Sequence, residues 1–530
     1  MAKDYFQSHQ FKLLLSSYES QRKKNESIYF DADDFADIAD YYLSINRPDL
    51  SMETVETALS IHPDDEVLRV VKSATYIYQH QWKKAEEVLN TLDSDNPDVK
   101  YQWAQMEYAF HGRIPQAEKQ WRTWMKIENG TDPSEQHRRE NYIHIISSMA
   151  ELREDDLNYT KEELKTIRKW IREYIATFQP LGKYDEDIQL ADVCRQDPLA
   201  DLMCEILSQI LEEQPYLSKG WTNLALAQLM QKNFDQSLES CDFALAINPE
   251  DTDALLTKAH ALISLGDKSL SIPVLKKYLE LGGERVQAIP YAEALFLDGR
   301  KEEAVSVLKD LYEYLEIQNE TVEDQFHLDM MSTKLDEAQK REKQKKYQVY
   351  RIMYVHALTD ICDLFHHNDC IKDSLEVNRR LVEAFPDDAE AFFMMGVNHL
   401  SANKYEEAAR DFASALKKSN DQVMMGVDIA LTFVLNDFSD FALEVLDAIS
   451  EIADQSNSPY VKNIPAAKSL TYLKLGDKGL FIDNFKIACE DTPDLVQKIY
   501  NGIFPEDLPI SEWSDYASKH MKSILKKLKH

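Results

Sequence analysis

The chain has 530 residues, only 13 of them glycine, and a net charge of −33 at pH 7. That length is too great for one compact core, yet no Pro/Gly/Ser-rich linker divides it, so an array of small stacked units is expected. The acidic excess repels nucleic acid and anionic membrane over most of the surface, and no apolar run is long enough to span a bilayer.

In chain order, residues 1–31 are expected to form an N-terminal capping helix, with Phe6, Phe11, Leu14, Leu15 and Tyr18 near helical spacing. The opening MAKDYFQSHQF carries no leader core or small-residue cleavage site, so no signal peptide is predicted. Asp31, Asp33 and Asp34 favour the positive end of a helix that starts at Ala32. Residues 32–131 read as helix pairs with starts near Ala32, Glu66 and Asp98. Residues 132–183 break the register, and Ser134 to Arg153 with Thr160 to Phe178 predict an oversized helical pair stacked in line with the others. The register resumes over 184–318, with starts near Tyr184, Ser218, Thr252 and Arg285.

Residues 319–354 form a charged insertion, acidic at Glu320, Glu323, Asp324 and Asp329, then basic at Lys340, Arg341, Lys343, Lys345 and Lys346. Strong helix formers from Thr333 onward predict one long helix running into the next pair. Pairs return over 355–495, with starts near Val355, Ala389, Val423 and Lys462. Residues 496–530 read as a C-terminal cap ending in a basic amphipathic helix from Ser511, with Trp513, Tyr516, Ala517, Met521, Ile524, Leu525 and Leu528 on one side. The remainder of that helix carries Lys519, Lys522, Lys526, Lys527 and Lys529, which complement its negative end or, alternatively, tether it to an acidic partner or anionic lipid.

The stretch AEAFFMMGVNHLSANKYEEAARDFASALKKSN, Ala389 to Asn420, sets the pattern for the rest. Small residues at Gly396, Ala408 and Ala415 let two helices approach, while Phe392, Phe412 and Leu416 fill the space beside them. Phe392, Met395, Gly396, His399, Tyr405, Ala408, Phe412 and Ala415 together resemble the tetratricopeptide (TPR) pattern. The resemblance implies an all-α solenoid of stacked TPR helix pairs forming a right-handed superhelix, and a role in binding other proteins. The phrase YFDADDFADIADYYL, Tyr29 to Leu43, also resembles the opening of a group of uncharacterised bacterial multi-TPR proteins, a likeness confined to those residues that brings no activity with it.

No GxxxxGK[ST], HExxH, GxSxG or paired CxxC occurs, so neither catalysis nor a cofactor is predicted. Gly282-Gly283 closes a helical run and reads as a C-terminal cap. Six scattered cysteines suit a reducing cytoplasm. Cys362 and Cys370, with His356, His366 and His367 nearby, fit no closed tetrahedral zinc motif, and Cys362 falls at the small-residue position of its repeat, so no metal is assigned there.

Some TPR proteins grip a partner's terminal carboxylate with Lys and Asn on the first helix. Here those positions hold Thr222 and Leu226, Leu256 and His260, and Phe393 and Val397, which argues against such a clamp. The residues that would line the concave face are instead apolar: Leu226, Leu229, Leu256, Ile263, Ile289 and Phe296, then Phe393, Val397, Leu400, Val427, Leu431 and Val434. They are expected either to pack as core or to form a groove for a protein or peptide partner. A non-catalytic interaction scaffold is the favoured reading, and a regulatory subunit or sensor for a small peptide or metal is the alternative.

Overall fold

A computed structural model describes residues 2–24, 29–152, 159–332, 337–453, 458–505 and 508–527, and the regular structure among them is entirely helical. Contacts divide the chain into Met1–Leu281 and Gly282–His530.

In the first unit, α1 (Ala2–Gln7) and α2 (His9–Lys24) precede α3 (Ala32–Ser44), α4 (Pro48–Ile61), α5 (Glu66–Tyr78), α6 (Trp82–Leu89), α7 (Pro97–Ala109) and α8 (Ile114–Asn129). Then come α9 (Glu135–Glu151), α10 (Lys161–Thr177), α11 (Asp185–Val193), α12 (Ala200–Glu213), α13 (Ser218–Met230), α14 (Phe234–Ile247), α15 (Thr252–Leu265) and α16 (Lys268–Glu280). The second unit holds α17 (Ala288–Leu297), α18 (Lys301–Met331), α19 (Glu337–His367), α20 (Ile371–Ala384), α21 (Ala389–Ser401) and α22 (Tyr405–Lys418). It continues through α23 (Gln422–Leu435), α24 (Ser439–Ala453), α25 (Ile464–Leu475), α26 (Lys478–Asp491), α27 (Pro493–Ile499) and α28 (Trp513–Lys527).

Most first helices start within a residue of the positions read from sequence, at Ala32, Glu66, Pro97, Asp185, Ser218, Thr252, Ala389 and Gln422. Aspartates supply several of these starts: Asp65, Asp251, Asp388 and Asp421 each accept a backbone N–H from the first turn that would otherwise lack a partner.

Inside each pair the two helices meet at small side chains. Ala39, Ala225, Ala259, Ala292, Cys362 and Ala430 on first helices have no exposed surface, nor do Ala85, Ala117, Ser237, Ala304, Ser374 and Ala408 on second helices. Two repeats use the same polar stitch at this contact. Ser237 Oγ donates to the Ala225 carbonyl at 2.8 Å and Ser374 Oγ to the Cys362 carbonyl at 2.9 Å.

The turn inside each pair also recurs. One residue takes positive φ, namely Asn46 (57°), His80 (55°), Lys232 (62°), Asp369 (55°), Asn403 (59°) and Asp437 (65°), or a glycine such as Gly266 (89°) and Gly299 (79°). The next backbone N–H then reaches back to a carbonyl near the helix end: Arg47 to Tyr42, Asn233 to Gln228, Lys404 to His399 and Phe438 to Phe433, each at 2.8 Å. This Schellman closure satisfies carbonyls that the helix leaves free and fixes the hairpin angle.

The N-terminal cap and the charged insertion are refined in detail. The single N-terminal capping helix is two, because Ser8 interrupts it and its Oγ accepts the Phe11 N–H at 3.1 Å. The long helix expected to run into the pair at Val355 is α19, and the acidic part of the insertion extends α18, so that each runs to 31 residues. They are pinned together where Phe326 stacks on Tyr347 at 4.0 Å and Lys343 meets Asp329 at 3.2 Å. Thr333, where the single helix was expected to begin, lies outside the described residues, as do Leu528 and Lys529.

The irregular pair α9 and α10 shares one core with α8 and α12, through Trp121, Tyr142, Ile145, Trp170, Tyr174 and Ile206. An ion pair seals it. Arg139 is 1% exposed and binds Asp187, which also accepts from Tyr174 Oη at 2.7 Å and the Gly182 N–H at 2.8 Å. At the other end of the chain, α28 buries Trp513, Ala517 and Ile524 in the core of the second unit, with Trp513 stacked on Phe504 at 4.4 Å.

Candidate protein-interaction surface

The twelve apolar first-helix residues separate into two groups. Leu400, Val427 and Val434 are buried at 4%, 3% and 0% exposure, so these three are core in the free chain and not docking surface. The other nine are half-buried. In the first unit these are Leu226 and Leu229 on α13 and Leu256 and Ile263 on α15. In the second they are Ile289 and Phe296 on α17, Phe393 and Val397 on α21, and Leu431 on α23. Phe393 leans on the core, its ring 5.9 Å from that of Phe412.

The second unit holds an apolar crevice of about 570 Å³ between α19, the end of α20 and the first turns of α21. Ile352, Val355, Leu381, Phe385, Ala391 and Met394 supply its apolar lining, and Arg351, His356, Asp388 and Glu390 its polar positions. Two local facts create it. α19 begins well before the repeat start at Val355, so its extra turns wall one side. Phe385 ends α20 and is held by Arg351, whose guanidinium sits 4.3 Å from the ring centroid and donates to the Ala384 carbonyl at 3.1 Å.

A larger depression of about 1120 Å³ lies at the turns following α17 and α19. Its lining is charged and largely self-satisfied, with Arg300 on Glu303 at 2.5 Å and Lys301 on the Asn368 carbonyl at 2.5 Å. It offers little apolar anchorage.

Within the cysteine and histidine cluster, Cys362 and His366 are held in contacts with Ser374 and Asn398. Cys362 Sγ lies 3.1 Å from Ser374 Oγ and accepts from Asn398 Nδ2 at 3.4 Å, while His366 Nδ1 is 2.7 Å from Asn398 Oδ1. Burial pushes the thiols of Cys362 and Cys370 up, those of Cys194, Cys241 and Cys489 to about 12, and that of Cys204 to about 11. A neutral thiol is a poor nucleophile and a poor metal ligand. No group of three or more His, Cys, Asp or Glu side chains is placed to hold a metal ion among the described residues.

On the first-helix face, Glu390 and Asp428 meet no lysine or arginine among the described residues. Burial raises Asp428, and Glu390 is raised by burial and by Asp428, Asp388 and Asp363. Asp363 is raised by burial and by Asp360, with His366 and His367 opposing. Sequence reasoning passed over the crevice because it assigned Ile352 and its neighbours to an insertion; the signal was their apolar spacing ahead of Val355.

Comparison with known proteins finds one matched repeat and several distant similarities. Residues 370–423, from just before α20 to the start of α23, match the tetratricopeptide repeat model. Anaphase-promoting complex subunit 7 of Dictyostelium discoideum is 23% identical over 107 residues, a match spanning 20% of this chain and 18% of that relative. Among solved structures, the TPR protein YrrB, whose structure is described as having an unusual peptide-binding site, aligns over 42% of this chain and 96% of its own at 14% identity and a TM-score of 0.31. Yeast Tom70 aligns over 94% of this chain and 99% of its own at 13% identity and a TM-score of 0.29. No helix among the described residues is long and apolar enough to cross a membrane. The chain is thus an all-helical array of paired helices with recurrent left-handed turns, within which residues 370–423 match the tetratricopeptide repeat.

Proposed function

We propose that this protein is a non-catalytic scaffold that binds a segment of another protein on the first-helix face of its repeats. The observation that carries the reading is the apolar crevice between α19, α20 and α21; Phe393, Val397 and Leu431 are half-buried first-helix residues of the same unit. Apolar anchors in such a depression dominate interface energy, whereas charges at the rim chiefly set association rate and salt dependence. The raised thiols favour binding over thiol chemistry. A cytoplasmic setting goes with six free cysteines, and the acidic surface disfavours nucleic acid as the partner.

Affinity capture with the tagged full chain, compared with the Phe393→Asp/Leu431→Asp variant, tests this reading. The partner recovered by the parent chain should be lost by the variant while its circular dichroism stays helical. Undiminished capture by a folded variant would place the partner on another face.

A further inference from the structure

The crevice combines an unpartnered apolar wall with unpaired carboxylates. On α19, Ile352 lines the crevice and is 57% exposed, and Val349 and Met353, outside its lining, are 58% and 65% exposed. Arg351 on the same wall is committed to Phe385 and the Ala384 carbonyl. Across from it, the Asp388 carboxylate is occupied in capping α21, accepting the Glu390 and Ala391 N–H groups at 2.8 and 3.1 Å. Glu390 and Asp428 pair with no lysine or arginine among the described residues, and the groups that act on Glu390 are the carboxylates of Asp428, Asp388 and Asp363. His356 acts on Asp360, and His366 and His367 act on Asp363. Glu390 and Asp428 are open to solvent and yet hemmed in by protein, so each lacks part of the hydration that would offset their repulsion. The chain's own basic helix does not relieve this, because α28 is packed around Phe504 and Lys527 Nζ donates to the Ile503 carbonyl at 2.8 Å.

We propose that the crevice receives a partner segment in which an apolar side chain is flanked by lysine or arginine, the apolar group seated between Ile352, Leu381 and Met394 and the cation set between Glu390 and Asp428. This rests on the scaffold reading and names the chemistry of its partner. Charge complementarity selects the occupant: a neutral apolar segment leaves the carboxylates repelling one another, an acidic one adds to the repulsion, and a cationic one removes it.

The test uses three short fluorescein-labelled amidated peptides that share leucines at helical spacing and differ only in carrying Lys, Gln or Glu elsewhere. Binding to the full chain is read by anisotropy. The Lys peptide should bind, the Gln peptide should bind at least about tenfold more weakly, and the Glu peptide should not bind. Glu390→Gln with Asp428→Asn, which relieves repulsion and so favours folding, should cancel the preference for Lys. Glu87→Gln with Glu250→Gln, two exposed carboxylates in the other unit, should leave it unchanged. Ile352→Asp should abolish binding of every peptide.

If Glu390→Gln/Asp428→Asn leaves the preference intact, net charge alone draws the peptide and the cation assignment is overturned. If Lys and Gln peptides bind alike and both fail on Ile352→Asp, the apolar docking reading stands and the cation assignment falls. If no peptide binds, or none responds to Ile352→Asp, the crevice is not the docking site and both fall.

Discussion

Gly396 and Phe412 pack so closely that a Cβ at the first position would collide with the ring. A Cβ at Gly396 would lie 2.6 Å from both Cδ1 and Cε1 of the Phe412 ring. Gly396→Ala therefore forces the ring or the helix to move, a rearrangement that typically costs about 1–3 kcal/mol. Urea unfolding should show this loss, and Phe412→Leu should recover part of it in the double variant. Ala244→Phe, at another site without exposed surface, should destabilise in the same range.

Lys232 occupies the left-handed turn position with φ of 62° and its side chain exposed. An L-residue there carries steric strain of about 1–2 kcal/mol, partly offset in glycine by greater freedom in the unfolded chain. Lys232→Gly should raise stability, by at most about 1 kcal/mol. Gly266→Val, at the equivalent turn with φ of 89°, should lower it. Thermal unfolding of the two variants side by side checks the turn geometry.

The buried pair Arg139 and Asp187 predicts a large effect from removing one partner. Arg139 also holds Glu135 at 2.8 Å, donates to the Phe178 carbonyl at 3.0 Å and covers the Tyr184 ring at 4.6 Å. Arg139→Ala leaves Asp187 charged and buried, which should cost about 3–5 kcal/mol. Arg139→Met with Asp187→Leu should be far milder than the single change, because no uncompensated charge remains. Denaturant midpoints of the three chains decide the matter.

Asp40 gives a pH dependence with a definite sign. Burial, with Asp37 and Asp98 nearby, raises its carboxyl from 3.8 to about 7. The folded state therefore holds this proton more tightly than the unfolded chain, and the resulting stability is fully present below about pH 4 and lost as pH rises through 7. Asp40→Asn should melt above the parent chain at pH 8, with the difference shrinking to nothing by pH 4. A difference of constant size across that range would show that Asp40 is not the titrating group.

The repeats were legible in sequence because burial imposes a small residue wherever two helices touch, as at Ala39, Ala225, Cys362 and Gly396. Turns were less legible. Asn46, His80, Lys232 and Asp437 adopt a conformation that glycine would announce, so their common role emerges from φ alone. The long helix running into the pair at Val355 was legible from its helix formers, whereas no proline or glycine marks the stretch over which α18 continues to Met331, so that extension was not read. Three of the apolar first-helix residues, Leu400, Val427 and Val434, face the core, since periodicity places a residue on a helix face without saying how deep that face lies.

The central claim is that a partner docks on the first-helix face, and site-directed photo-crosslinking tests it most directly. A benzophenone side chain is placed at Met394, within the crevice lining, or at Ile487, 46% exposed on the second helix α26. After irradiation with the captured partner, the Met394 position should yield a covalent adduct and the Ile487 position none. Adducts from Ile487 with none from Met394 would contradict the account.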